Sequence, residues 1–203
     1  MPDFTLQQLL LRIAAILLIT AVHGFALTLA ARFLGDRGPE YDGRLTLNPF
    51  QQIDLLGGLA MLFFSLGWIR PLRVDSREFR RPRRDALLLT LFGQVATLLF
   101  VLLLSIIRPL AFTTLPETFA FGVLPLLNTT ISLGIWFTVL NLVPLPPLTG
   151  GYLLQAIEPT LLDSVRRYEL VFKLAIAALI LTGVAESVLV PLYRPISRLV
   201  LGS

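Results

Sequence analysis

The sequence predicts an all-α polytopic membrane protein of about five hydrophobic helices, four to six in all, with a small surface hairpin after the first span. Three observations predict it. Apolar residues fill 55% of the 203 positions, above the roughly 45–50% of ordinary soluble domains. The mean hydropathy is +0.78. The charges cluster, leaving uncharged runs long enough to cross a bilayer between them. Residues 1–203 are expected to form a single transmembrane domain, because no linker-like stretch separates a second core.

The first span is uncharged from Ile13 to Ala31 and carries His23 near its middle. The start of the chain, Met1-Pro2-Asp3-Phe4, lacks a basic n-region, so a cleaved signal peptide is not expected. A Gly- and Pro-punctuated polar stretch follows Leu34 and runs to Asp54. Within it Arg44-Leu45-Thr46-Leu47 alternates as a strand would, which predicts the hairpin. The apolar run from Leu55 to Ile69 gives only about 22 Å of helix, so it is either a short span or a re-entrant turn, with Gly57 and Gly58 permitting close packing.

Asp85 and Arg108 bracket a third uncharged run. A fourth lies between Phe119 and Val143, where Pro144, Pro146 and Pro147 end the helix. The last span is expected from about Leu170 to Leu192, unless Gly183 stops it and leaves Glu186 at the interface. Trp68, Trp136 and Tyr193 read as interfacial aromatics.

The net charge of +4 rests on arginine, and seven of the 17 cations fall between Arg70 and Arg84. Beside hydrophobic spans such a cluster marks the cytoplasmic face and anionic headgroups, so membrane lipids are expected partners and nucleic acid is not. Arg166, Arg167 and Lys173 fall on the same side two spans later. A re-entrant 55–69 segment would put the N-terminus outside, and a crossing one would put it inside. Cysteine is absent, which removes disulfide and zinc-thiolate chemistry.

Several motifs in order carry a resemblance. They are the apolar helix bearing His23, the stretch Gly43-Arg44-Leu45-Thr46-Leu47-Asn48-Pro49, then Gly67-Trp68-Ile69-Arg70-Pro71, Phe79-Arg80-Arg81-Pro82-Arg83-Arg84-Asp85, and the helix end Asn141-Leu142-Val143-Pro144-Leu145-Pro146-Pro147-Leu148. Together, over roughly residues 15 to 155, they resemble the site-2 protease family of intramembrane zinc metalloproteases. The resemblance implies zinc held by two histidines one turn apart and a distant aspartate, with a glutamate as general base on a zinc-bound water.

This chain departs from that set. His23 matches, but Gly24 stands where the base belongs, Leu27 where the second histidine belongs and Thr149 where the third ligand belongs. Gln94 and Thr97 replace the proline and asparagine of the element after Gly93. The losses strike ligands and base while the turn residues, Asn48 and Asn141 remain.

The expected function is therefore that of a catalytically inactive relative without a metal or other cofactor. It would bind a transmembrane or extended segment of another membrane protein as scaffold, assembly factor or complex subunit in the bacterial inner membrane. The candidate partner-binding residues are His23, Asn48, Asn141, Thr149 and Gly150, although His23 reads more simply as an interhelical hydrogen-bonding residue, and a helix stop is sufficient to explain Thr149-Gly150. One alternative is an active metalloprotease with unorthodox ligands. Another, from the transport class, uses His23 and Glu186 as an ion or proton path.

Overall fold

The computed structural model describes residues 5–75, 77–158 and 161–202. It is an all-α membrane protein. Helix α1 (Leu6–Leu34) starts on a capping box, in which the Thr5 hydroxyl accepts the Gln8 N–H and the Gln8 side chain accepts the Thr5 N–H. It stops at Gly35, whose φ of 122° favours glycine. Helix α5 (Pro82–Thr114) begins with proline at a first-turn position, and the Asp85 carboxylate accepts the Arg81 N–H. Helix α6 is Glu117–Asn141. These three are long and apolar enough to cross a membrane.

The three pack on one another. Lipid tails are as apolar as leucine, so this association rests on close packing and interhelical hydrogen bonds rather than on escape from water. Small residues supply the closeness. A Cβ on Gly134 would collide with Val101, and one on Gly93 would sit 2.7 Å from Leu27 Cδ2.

The polar stretch after α1 corrects the expected hairpin. Among the described residues it contains no strand. It folds instead into α2 (Gly38–Tyr41) and α3 (Pro49–Gln52), with bends over residues 45–47. The reason lies in Gln52, whose amide donates to the carbonyls of Arg44 at 2.8 Å and Thr46 at 3.1 Å. These bonds take the ladder groups a second strand would have needed.

The 55–69 segment is re-entrant. Helix α4 (Leu55–Phe64), capped by Asp54 on the Gly57 N–H, is ten residues or about 15 Å long, half the hydrocarbon thickness. It ends at Ser65, held at φ 65°. The chain then runs back extended, and the Arg70 N–H reaches the Gln52 carbonyl at 2.7 Å beside an antiparallel Ile53–Ile69 bridge. Gly57 and Gly67 make the return possible: a Cβ on Gly57 would strike the Trp68 carbonyl, and one on Gly67 the Gly57 carbonyl. The return also buries Trp68 to 1% exposure, so it is a core residue and not an interfacial aromatic. Trp136 and Tyr193 stack at 4.1 Å.

One end of the bundle thus gathers the loops. The Arg80 N–H meets the Leu34 carbonyl, Asp36 accepts the Asp75 N–H, and Arg166 reaches the Leu72 and Val74 carbonyls. The start of α1 therefore lies at the opposite end from the 70–84 loop. After α6 come a 3-10 turn (Thr149–Tyr152), α7 (Leu153–Ile157) and α8 (Leu161–Arg166). The expected last span is broken: α9 (Glu169–Leu181) and α10 (Val184–Leu201) meet at 79° where Gly183 adopts φ 74°.

Candidate functional site

His23 lies on the inward face of α1 and is fully buried. Its Nδ1 is 2.7 Å from the Thr97 hydroxyl of α5 and its Nε2 is 2.8 Å from the Thr149 hydroxyl of the 3-10 turn. Thr97 donates its proton to the Gly93 carbonyl at 3.0 Å, so its oxygen is left to accept from Nδ1–H. Nε2 is then the acceptor, and the Thr149 hydroxyl donates to it. Phe137 packs edge-on against the ring at 4.9 Å and 79°.

The network continues outward. The Thr149 N–H donates to Asn141 Oδ1 at 3.2 Å, and Asn141 Nδ2 donates to the carbonyls of Gly67 and Phe137 at 2.9 Å each. Gln94 Nε2 reaches the Asn141 carbonyl at 2.7 Å. Four pieces of the fold are joined through neutral groups: α1, α5, the end of α6 with its 3-10 turn, and the returning arm of the re-entrant segment. All of His23, Thr97, Gln94, Asn141 and Thr149 are buried, where satisfied hydrogen bonds are obligatory. Gln94 Oε1 is the one acceptor of this group without a bonded partner among the described residues.

The space around Gly24 and Gly93 is filled. A Cβ on Gly24 would run into the Gln52 side chain, striking Oε1 and Cδ and coming within 2.7 Å of Cγ. Gln52 cannot easily withdraw, because its Oε1 accepts Arg44 Nε at 3.0 Å and Nη2 at 2.9 Å while its amide is fixed as described. Arg44 also donates to the Arg70 carbonyl. Burial pulls its guanidinium below the ordinary arginine value. Leu27, 1% exposed, covers Gly93 beside the imidazole.

These residues do not fit zinc. A catalytic zinc takes three protein ligands drawn from imidazole, thiolate and carboxylate. Here one imidazole has both nitrogens committed to hydroxyls, Gly24 and Leu27 have no donor atoms, and Thr149 offers a neutral hydroxyl. Among the described residues no three His, Asp or Glu side chains converge.

Of the candidate residues, the fold brings together His23, Asn141, Thr149 and Gly150. Gly150 is buried against the end of α6, with the Leu142 carbonyl 2.7 Å from where its Cβ would be. Asn48 lies elsewhere, exposed, capping α3 through the Phe50 N–H. Glu186 is exposed in the first turn of α10 and lines a cavity of about 400 Å³ with Arg12 and Trp136, a cavity that His23 does not line.

Sequence reasoning missed Gln52 and Phe137. Phe137 precedes Asn141 by one helical turn, which was a readable signal. Gln52 had none, since its role depends on the 44–54 segment folding back over α1.

One comparison gives a relative. Over 141 residues the chain is 30% identical to the Bacillus subtilis (strain 168) protein named "Putative zinc metalloprotease YwhC". The match covers 68% of this chain and 64% of that protein, so the chain spans less than two thirds of the relative's length. No protein-family model matches, and no solved structure does.

Proposed function

We propose that this is a catalytically inactive member of the site-2 protease family that binds a transmembrane or extended segment of another membrane protein, as scaffold, assembly factor or complex subunit. The observation that carries the reading is the occupied centre: the Thr149 hydroxyl on His23 Nε2, Leu27 over Gly93, and Gln52 in the space beside Gly24. A centre that had merely lost its metal would be left with unpaired buried polar groups, at about 1–3 kcal/mol each. This one is paired almost throughout. The similarity to a protein named as a zinc metalloprotease supports the framework part of the proposal, since a protease framework must admit a peptide segment.

The same reading places the protein in the bacterial inner membrane with the Arg70–Arg84 loop in the cytoplasm and the N-terminus outside. The arginine density of that loop is what supports it. The His23 cluster holds the bundle closed, and the partner is bound by the surrounding framework.

The test is reconstitution with a fluorescent single-span helical peptide, following both binding and cleavage. Saturable binding with no product, unchanged by chelator, is the expected result. Chelator-sensitive cleavage would establish instead an active metalloprotease with unorthodox ligands.

A further inference from the structure

A cavity on the loop-bearing end of the molecule is distinct from the His23 cluster. It has a volume of about 620 Å³ and lies between the foot of α4, the returning arm and the start of α9. Four cations line it, Arg70, Arg73, Arg166 and Lys173, against two carboxylates, Asp54 and Glu169. Both carboxylates are already engaged by Lys173, at 2.7 and 2.9 Å. Arg166 is turned toward the Leu72 and Val74 carbonyls. Arg70 and Arg73 are exposed, and among the described residues neither forms an ion pair.

The cavity's position limits its ligand. Its rim includes Leu55, 75% exposed, at the base of α4, and α9 leaves it with Leu170 and Leu174 exposed at 64% and 55%. A cationic pocket therefore opens directly onto the apolar surface of two adjacent, contacting helices. A soluble phosphate would use the cations but not the apolar flank. A molecule with a phosphate head and acyl tails uses both.

We infer that this cavity is a binding site for one anionic phospholipid, its phosphodiester held by Arg70 and Arg73 and its acyl chains lying along α4 and α9. Guanidinium suits this role because it is always charged and presents a planar fork to phosphate oxygens. Lys173, held by two carboxylates, fixes α9 against α4 and so sets the width of the pocket.

The test uses the full chain in phosphatidylcholine nanodiscs containing a minority of phosphatidylglycerol, with retained lipid counted by native mass spectrometry. One phosphatidylglycerol per chain is expected to resist release. The Arg70→Gln/Arg73→Gln variant should bind it about thirtyfold more weakly, and the Arg83→Gln/Arg84→Gln variant, with the same charge change at the start of α5, should bind it as the parent does. Equal weakening in both variants would reduce the effect to a diffuse surface charge and overturn the site. So would displacement by millimolar glycerol phosphate, which would make the pocket a soluble-anion site.

Discussion

The Nε2 of His23 accepts a hydrogen bond from the Thr149 hydroxyl at 2.8 Å, across 126 positions of sequence. That bond occupies the lone pair which a metal at this ring nitrogen would need. Replacing Thr149 by valine keeps the shape and removes the donor. We expect a loss of about 1–2 kcal/mol. In a double-mutant cycle with His23→Ala, the coupling should be about 0.6 kcal/mol, the average for hydrogen bonds between membrane helices, and at most about 1.7. Equilibrium unfolding in mild detergent measures it, and zero coupling would mean that the pair is incidental.

Gly24→Ala should be destabilising by about 1–3 kcal/mol, because the new methyl collides with a Gln52 side chain pinned by Arg44. Adding Gln52→Ala should recover part of that loss, although Gln52→Ala alone harms the fold by leaving the buried Arg44 guanidinium short of an acceptor. Unfolding of all three variants reveals the sign of the interaction, and simple additivity would contradict the overlap.

Gly93→Ala offers a similar contrast on the other side of the ring. Its Cβ would lie 2.7 Å from Leu27 Cδ2 and 3.0 Å from His23 Cε1, so α5 must move away from α1. Leu27→Ala in the same chain should restore the helix spacing. Cysteine crosslinking between α1 and α5 in this naturally cysteine-free protein reports that distance directly.

Most of the fold was legible because membrane spans are written in composition. The place of α1 and α6 and the proline stop after Asn141 follow from local chemistry, although α1 starts at Leu6, seven residues before the uncharged run, and the Gly183 break was one of two readings of the last span. The hairpin over residues 44–47 was misread, since the Arg44 and Thr46 carbonyls that a ladder would use are taken by Gln52. At the candidate site the sequence offered His23, Gly24, Leu27 and Thr149 as residues to compare, and the fold brings all four close together. That Gln52 packs against Gly24 and Leu27 against Gly93 depends on contacts between distant segments, which no local pattern records.

Tyr152 ties the 3-10 turn to the returning arm, accepting the Leu72 N–H at 2.8 Å and donating to the Leu72 carbonyl at 2.9 Å. Burial pushes its phenol above the usual value of 10.0. The neutral form is thus favoured in the folded state, so this stability is fully present below about pH 10 and is lost as pH rises through the raised value. Thermal unfolding of the parent should weaken above pH 10 more steeply than that of Tyr152→Phe, which is less stable at neutral pH but lacks this alkaline slope. Parallel alkaline slopes would rule the phenol out as the cause.

On the proposed function, the His23 centre is closed by protein groups and takes no metal. Its most direct test is the zinc and iron content per chain of protein extracted gently, without a histidine tag or chelator. Far less than one ion per chain is expected, with no change in unfolding temperature on adding zinc or chelator. Close to one tightly held ion per chain, lost in His23→Ala, would contradict it.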